Sequence, residues 1–189
     1  MRFAEQWSWC TVETVRDVTP TIREFRLRPD DGRVPPYPPG SHIGVTVLID
    51  GQPARRSYSL VENSDAGTYR IAVRLAPDSR GGSRGMWGLM PGARIETSNP
   101  TSLLEIDWTR KNYCLIAGGI GITPITGIAA ALRRRNIDAT LHYAVKSRSD
   151  AAFLDELSAL LDDLLIVHAS DEGARLDLKA TFRALPDDA

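Results

Sequence analysis

Four consecutive residues after an apolar run could hold a flat, phosphate-bearing ring: Arg56, Ser57, Tyr58 and Ser59. The aromatic face of Tyr58 could stack on a conjugated ring such as a flavin. The guanidinium of Arg56 could bind a phosphate through two parallel hydrogen bonds, and the serine hydroxyls could bond polar ring atoms. Taken alone, however, the four residues fit an ordinary hairpin strand, with an exposed arginine and a packed tyrosine, better than they fit a flavin site. Both interpretations stay open at this point.

A second segment, Arg80-Gly81-Gly82-Ser83, could bind a phosphate. The two glycines let backbone N–H groups approach an anion, and Ser83 is predicted to begin a short helix. The same composition is typical of a solvated surface loop. The segment follows an alternating run at 71–75, and this position favours the phosphate interpretation.

The third segment is rich in glycine and has the pattern of a dinucleotide turn. Gly119 and Gly121 directly follow an apolar run and precede a helical pattern, which lets backbone approach a pyrophosphate. Thr123 is predicted to cap the helix and Pro124 to be its first residue. Pro124 replaces the third glycine of the usual fingerprint, so the turn is a variant. A purely structural strand–turn–helix is the alternative.

Before Trp108, short runs rich in β-branched and aromatic residues are separated by Pro, Gly and Asp. Asp50-Gly51 between two of them is a strong hairpin signal. The pattern predicts a small six-stranded antiparallel barrel or a sandwich. Its strands are expected at residues 11–15, 22–27, 42–49, 54–60, 69–75 and 94–97.

After Trp108 the pattern alternates between apolar strands and amphipathic helices, which predicts a parallel sheet flanked by helices. The first strand is a continuous apolar run that we expect to be covered on both faces. Asp150 and Asp177 are expected to cap the second and third helices. The strands are expected at 113–117, 140–145 and 164–168, and the helices at 124–135, 151–161 and 177–185. The fold class is therefore β followed by α/β, with domains at 1–108 and 109–189.

Composition excludes several function classes. The 189 residues carry a net charge of -1, which argues against nucleic acid or an anionic membrane as the main partner. The first seven residues lack a signal-peptide core, and no apolar stretch reaches membrane-spanning length. Cys10 and Cys114 are too few for a disulfide scaffold or an iron–sulfur cluster. The sequence predicts a cytoplasmic protein. It predicts no metal site, because His42, His142 and His168 lie in separate strands without metal-ligand spacing.

The three segments, in this order and spacing, resemble the ferredoxin-reductase superfamily over nearly the whole chain. The similarity is greatest to the phthalate dioxygenase reductase and vanillate demethylase reductase types. It implies a flavin-binding barrel followed by a nicotinamide-binding α/β domain, in which NADH reduces the flavin and the flavin passes single electrons to an iron–sulfur centre. It also implies that Arg56, Tyr58 and Ser59 hold flavin, that Gly81, Gly82 and Ser83 hold the phosphate of FMN, and that Gly119, Gly121 and Thr123 face the nicotinamide and pyrophosphate.

We therefore predict FMN rather than FAD, since no extra loop for an adenine is evident, and NADH as the reductant. NADPH stays open because residues 146–150 offer both an acid and bases near the expected ribose. No side chain is expected to act as acid or base, although Ser59 and Thr123 should lie near the rings. The predicted cofactor contacts are Arg56, Ser57, Tyr58, Ser59, Val73, Arg80, Gly81, Gly82, Ser83, Gly118, Gly119, Gly121, Thr123, Pro124, Arg148 and Asp171.

Reductases of this type continue with a Cys-Gly-Pro turn and often a plant-type ferredoxin domain, and this sequence has neither. We expect either a fragment or one half of a split reductase completed by a second chain. The hypothesis is an electron-transfer subunit with an iron–sulfur protein and an oxygenase component as partners. A non-catalytic flavin-binding subunit, a free-standing flavin or ferric reductase, and a barrel without cofactor are the alternatives.

Overall fold

The structure is a computed structural model that describes residues 6–61 and 67–186, so most of the first seven residues lie outside it. Six antiparallel strands form one sheet in the order β4-β3-β6-β1-β2-β5. Their bounds are β1 Trp7–Thr19, β2 Ile22–Pro29, β3 His42–Ile49, β4 Gln52–Ser59, β5 Tyr69–Arg74 and β6 Arg94–Ser98.

The sheet curls until its two edges meet, which confirms the predicted six-stranded barrel. Leu60, just after β4, forms a bridge with Ile71 of β5, and the Val61 N–H donates to the Arg70 carbonyl at 2.9 Å. Alternate residues of the strands point inward and exclude water from the barrel core. Fully buried members of that core are Phe25, Leu27, Ile43, Val45 and Ile71.

The ends of the strands differ in part from the predicted pattern. The turn at Asp50 and Gly51 is confirmed, with positive φ angles of 50° and 77° that suit a tight hairpin. β1 starts at Trp7 rather than residue 11, because its first residues pair with β6, where Trp7 lies opposite Ser98. Pairing with a neighbouring strand thus extends β1 beyond its β-branched run.

The second sheet has three parallel strands in the order β7-β8-β9, as predicted. α2 and α3 pack on one face of this sheet, where Leu141, Tyr143 and Leu157 are fully buried. The remaining bounds are α1 Gly82–Trp87, β7 Tyr113–Gly118, α2 Ile122–Arg134, β8 Ala139–Val145, α3 Leu154–Leu161, β9 Leu165–Ala169 and α4 Leu178–Arg183.

The expectation that the apolar run of β7 is covered on both faces is wrong. Only Ala117 of that run is buried, and Cys114 is half-buried rather than part of the core. α2 and α3 cover one face. On the opposite face, Thr181 and Ala184 of α4 line only a hollow with Cys114 and His142, and Ile166 is 40% exposed. Sequence shows that a run is apolar but not whether a second layer covers it.

The start of α2 also differs from the prediction. α2 begins at Ile122 with Gly121 at its N-cap, so Thr123 lies inside the first turn and does not cap it. The Thr123 hydroxyl donates instead to the Ile120 carbonyl at 3.0 Å. Pro124 is the third helical residue rather than the first, still within the turn whose N–H groups have no helical partner.

The predicted cap of α3 is wrong, and that of α4 is confirmed. α3 begins at Leu154 after Phe153, whereas Asp150 belongs to a separate 3₁₀ turn that is capped by Ser147. Asp177 caps α4, its side chain accepting from the Ala180 N–H.

Candidate functional site

The three segments singled out in the sequence meet in a cleft between the barrel and the parallel sheet. The cleft has a volume of about 370 Å³, within the range typical of small-molecule sites. One wall comes from β4, β5 and α1, and the other comes from the glycine-rich turn after β7. The lining residues are Ser57, Tyr58, Ser59, Ala72, Val73, Arg74, Ser83, Ile120, Gly121, Thr123 and Pro124.

Tyr58 presents an aromatic ring on the barrel side of the cleft. It lies on β4 opposite Ile43 of β3 and is half-buried. Burial raises the pKa of its phenol to about 12, against the opposing effect of the Arg56 charge. The phenol therefore stays protonated near neutral pH, where it offers a ring face and an O–H donor.

Arg56 joins the first segment to the second. A Cβ added to Gly82 would lie 2.8 Å from the Arg56 Nε, so the guanidinium stem runs along the glycine turn. The Arg56 Nη1 donates to the Arg55 carbonyl at 2.8 Å, and the side chain is otherwise exposed. Gly81 has a φ of 96°, a conformation that a side chain would strain. Arg56 and the turn thus form one cationic corner.

Side-chain hydrogen bonds hold that turn against the barrel. The Ser83 hydroxyl accepts from the Ala76 N–H at 3.2 Å, and the Trp87 indole N–H donates to the Val73 carbonyl at 2.9 Å. The sequence-predicted Val73 and Ser83 therefore lie together in the cleft. Arg80 is exposed and does not line it.

The glycine-rich turn leaves open space where a ligand could approach. A Cβ added to Gly118, Gly119 or Gly121 would meet no heavy atom within 4 Å. Gly119 has a φ of 49°, which a side chain would strain. Absent side chains and open space are what close approach of a pyrophosphate or nicotinamide requires. The residues present therefore fit a flavin on one wall and a dinucleotide on the other.

Tyr143 supports the turn from beneath, and sequence analysis missed it. Its hydroxyl donates to the Gly119 carbonyl at 3.2 Å and accepts from the Ala152 N–H at 3.1 Å. Burial raises the pKa of this phenol to about 12, so it remains a donor at neutral pH. A lone tyrosine in an alternating strand gives no sign of such a role.

Two predicted contacts lie at the same sheet edge but outside the cleft. Arg148 follows β8 and forms an ion pair with Glu172 at 3.2 Å. Asp171 follows β9, and its N–H donates to the Lys146 carbonyl at 3.0 Å. Sequence analysis also missed the lining residues Ala72, Arg74 and Ile120, although Ala72 and Arg74 flank the predicted Val73 on β5.

Two of the three histidines meet, contrary to what their separation in sequence suggests. His142 and His168 lie on adjacent strands, with Nδ1 and Nε2 3.0 Å apart and stacked rings. Burial and the neighbouring His168 lower the pKa of His142. In the two described stretches, no three His, Cys, Asp or Glu side chains are grouped to hold a metal ion. Nor does any helix of residues 6–61 or 67–186 have the length and apolarity needed to cross a membrane.

The barrel part of the chain matches a known protein family. The family described as the oxidoreductase FAD-binding domain matches residues 9–106, which include nearly all of the barrel. The chain belongs to this family. The match thus confirms the predicted flavin-type barrel and an oxidoreductase class.

Curated relatives extend the similarity beyond the barrel. The chain is 38% identical to the heme-dependent oxidative N-demethylase beta subunit of Ectopseudomonas mendocina (strain ymp), over 91% of this chain and 55% of that protein. It is 34% identical to the carnitine monooxygenase reductase subunit of Escherichia coli (strain K12), over 88% of this chain and 53% of that protein. The chain therefore spans about half the length of these relatives.

A solved structure supports the same fold. Phthalate dioxygenase reductase, described as a modular structure for electron transfer from pyridine nucleotides to [2Fe-2S], superposes with a TM-score of 0.86. The two are 28% identical, over 96% of this chain and 58% of that chain. The resemblance to the phthalate dioxygenase reductase type is confirmed.

Proposed function

We propose that this chain is the flavin- and nicotinamide-binding part of a reductase that serves a multicomponent oxygenase or demethylase. The observation that carries the proposal is the shared cleft, in which Tyr58 and Ser59 of the barrel lie across from Gly121 and Thr123. Relatives named as reductase or demethylase subunits support it.

FMN is the proposed flavin. Tyr58 would stack on its ring, and Ser57 and Ser59 would bond ring polar atoms. Arg56 and the backbone N–H groups of the Gly81-Gly82-Ser83 turn would hold a terminal phosphate, which suits their cationic corner. FMN is preferred to FAD because the sequence has no evident extra loop for an adenine.

NADH is the proposed reductant, held by the glycine-rich turn. Gly119 and Gly121 would let the dinucleotide approach the backbone, while Thr123 and Pro124 would border the nicotinamide. Arg148 and Asp171, at the ends of β8 and β9, would meet the far part of the dinucleotide. A bound flavin would accept the hydride of NADH and release the two electrons singly. The protein's own task is to align the two rings and exclude water.

We propose that the chain consists of two domains: residues 1–108 hold the flavin, and residues 109–189 hold the nicotinamide dinucleotide. An iron–sulfur protein or domain and an oxygenase component are the proposed partners. We also propose that the protein is cytoplasmic, because its two cysteines, Cys10 and Cys114, are both free thiols, as expected in a reducing compartment.

Anaerobic mixing with NADH tests this function. The purified chain is loaded with FMN, freed of excess flavin and mixed with NADH, and the flavin absorbance is followed. We expect NADH to bleach the flavin absorbance and NADPH to bleach it less. A yellow protein that NADH does not bleach would instead support the non-catalytic flavin-binding subunit, and a colourless one would support a barrel without cofactor.

A further inference from the structure

A buried arginine outside the cleft joins the barrel to the α/β part. Arg70 lies on β5, and its side chain is only 6% exposed. Its guanidinium contacts Glu24 of β2 at 2.6 Å and Glu156 of α3 at 2.7 Å. The carboxylate of Glu24 is 5% exposed and that of Glu156 is 43% exposed. One cation thus bridges a carboxylate of the barrel and a carboxylate of a helix that follows β8.

The geometry uses the planar fork of arginine. The Arg70 Nε donates to Glu24 at 2.7 Å, while Nη1 and Nη2 donate to the two oxygens of Glu156 at 2.9 and 2.7 Å. Burial alone would lower the pKa of Arg70, but its bonds to Glu156 and Glu24 outweigh burial and raise it. A lysine would retain the charge but could not make both sets of bonds.

The same guanidinium also contacts the start of α3. Its Cζ lies 4.9 Å from the ring centroid of Phe153, a buried residue with a left-handed φ of 61°. Such a backbone is rare for an aromatic residue and persists only where its surroundings fix it. Arg70 therefore holds both Phe153 and Glu156, three residues apart.

Bonds link Arg70 and its partners on α3 to both walls of the cleft. On the barrel side, Ala72 and Arg74 of the cleft lie on β5, two and four residues after Arg70. On the other side, Ala152 precedes Phe153 and donates to the Tyr143 hydroxyl, which donates to Gly119 of the turn. A continuous series of covalent and hydrogen bonds thus runs from Arg70 to each wall.

We propose that Arg70 is a positioning residue for hydride transfer: by binding Glu24 and Glu156 it fixes the α/β part against the barrel and aligns the two rings. This role rests on the proposed function. The rate of such a reaction is sensitive to alignment, because a displacement of about 1 Å can slow it by about 100-fold. Arg70 itself does not line the cleft.

The test compares Arg70→Lys and Glu156→Gln with the wild-type chain, each loaded with FMN. Arg70→Lys keeps the charge at the buried position, and Glu156→Gln lies at a partly exposed carboxylate. FMN binding by each variant shows that its barrel is folded. Arg133→Gln is the matched control, because Arg133 pairs with Asp138 at 3.1 Å on the surface and spans no boundary between the two sheets. Stopped-flow spectrophotometry at saturating NADH gives the rate constant for flavin bleaching.

We expect the rate constant to fall at least about tenfold in both variants, with FMN affinity within about twofold of wild type. The control should be unchanged. Hydrogen–deuterium exchange should show faster exchange of the α3 amides in both variants, while β1 to β4 keep their protection. A simple loss of stability would weaken the protection of the barrel strands as much as that of α3, and this outcome would overturn the role of Arg70.

Bleaching at the wild-type rate in both variants would overturn the role of Arg70 and leave the proposed function standing. Unchanged protection of α3 would overturn it as well, because the contact would then not hold the helix. A wild-type chain that binds FMN but is not bleached by NADH would contradict the proposed function and, with it, any role in alignment.

Discussion

At the scale of single residues, two arginines that are adjacent in sequence, Arg55 and Arg56, have different surroundings. Arg56 runs along the Gly82 turn, whereas the adjacent Arg55 stacks on Trp7 with its Cζ 4.2 Å from a ring centroid. Alternation along a strand sends these two arginines to opposite faces. Of these two arginines, Arg56 is therefore the one beside the turn that we propose to hold the flavin phosphate.

Replacing Arg56 with alanine should weaken FMN binding by about 10- to 100-fold, the effect of losing charged hydrogen bonds. The fold should persist because Arg56 is exposed. Fluorescence titration with FMN measures the change, and Arg55→Ala is the matched control. Equal FMN affinity in Arg56→Ala and wild type would rule out the phosphate role.

Gly121→Val should act on the other wall. The backbone there has a φ of -61° that valine tolerates, and an added Cβ meets open space. The new side chain would fill the space proposed for the nicotinamide, so the Kd for NADH should rise at least about tenfold with little change in Tm. Gly88→Ala, outside the cleft, is the control. A valine variant that binds NADH normally would show that the dinucleotide lies elsewhere.

At the scale of elements, the glycine-rich turn depends on a buried hydroxyl. Tyr143→Phe removes the donor to Gly119 and leaves the buried Ala152 N–H without a partner. We expect a loss of about 1–3 kcal/mol in the free energy of unfolding, measured by urea denaturation. Tyr113→Phe is the comparison, because its hydroxyl bonds the Asp107 carbonyl at an exposed site. Equal losses in the two variants would count against a special role for Tyr143.

Strands, turns and helix caps were predictable where the local sequence pattern determines them. They were less predictable where packing against neighbouring elements determines them. The six barrel strands, the Asp50-Gly51 hairpin and the cap by Asp177 follow from residue types alone. Thr123 fails as a cap because the 3₁₀ turn Gly119–Gly121 continues directly into α2, so the backbone is already helical before it. The three segments that meet in the cleft were recognisable by their order. Tyr143 was not, since its partners are set by packing.

At the scale of the whole molecule, the contact between the two sheets combines apolar packing and ion pairs. Ile22, Val61 and Ala72 of the barrel share a buried cluster with Ile122 and Phe153 of the α/β part. Arg70 and Glu156 lie beside this cluster yet are 86 residues apart in sequence. No local pattern reveals a pair at that separation, so this part of the site was beyond sequence analysis.

The Arg70–Glu156 contact should depend on pH. The hydrogen bond from Arg70 lowers the pKa of Glu156 below its ordinary value of 4.5, despite burial. A carboxyl group whose pKa is lower in the folded state stabilises the fold at pH values above its unfolded-state pKa. This stabilisation is lost as the pH falls through the folded-state pKa. Arg16 also contacts Glu156, at 3.5 Å, and its charge and hydrogen bond lower the pKa of Glu156 further.

Wild type should therefore exceed Glu156→Gln in Tm near pH 7, and the difference should shrink steadily as pH falls below about 4.5. Calorimetric scans of both proteins across this range measure the difference. The same Tm difference at every pH would mean that the Glu156 charge does not contribute.

The central claim is that a flavin and a nicotinamide meet in the cleft between Tyr58 and Gly121. A crystal structure of the chain with FMN and NAD⁺ tests it most directly. We predict the flavin ring against Tyr58, with the reactive atoms of the two rings about 3–3.5 Å apart. A cleft filled by side chains, or a dinucleotide bound away from the Gly119–Gly121 turn, would contradict the account.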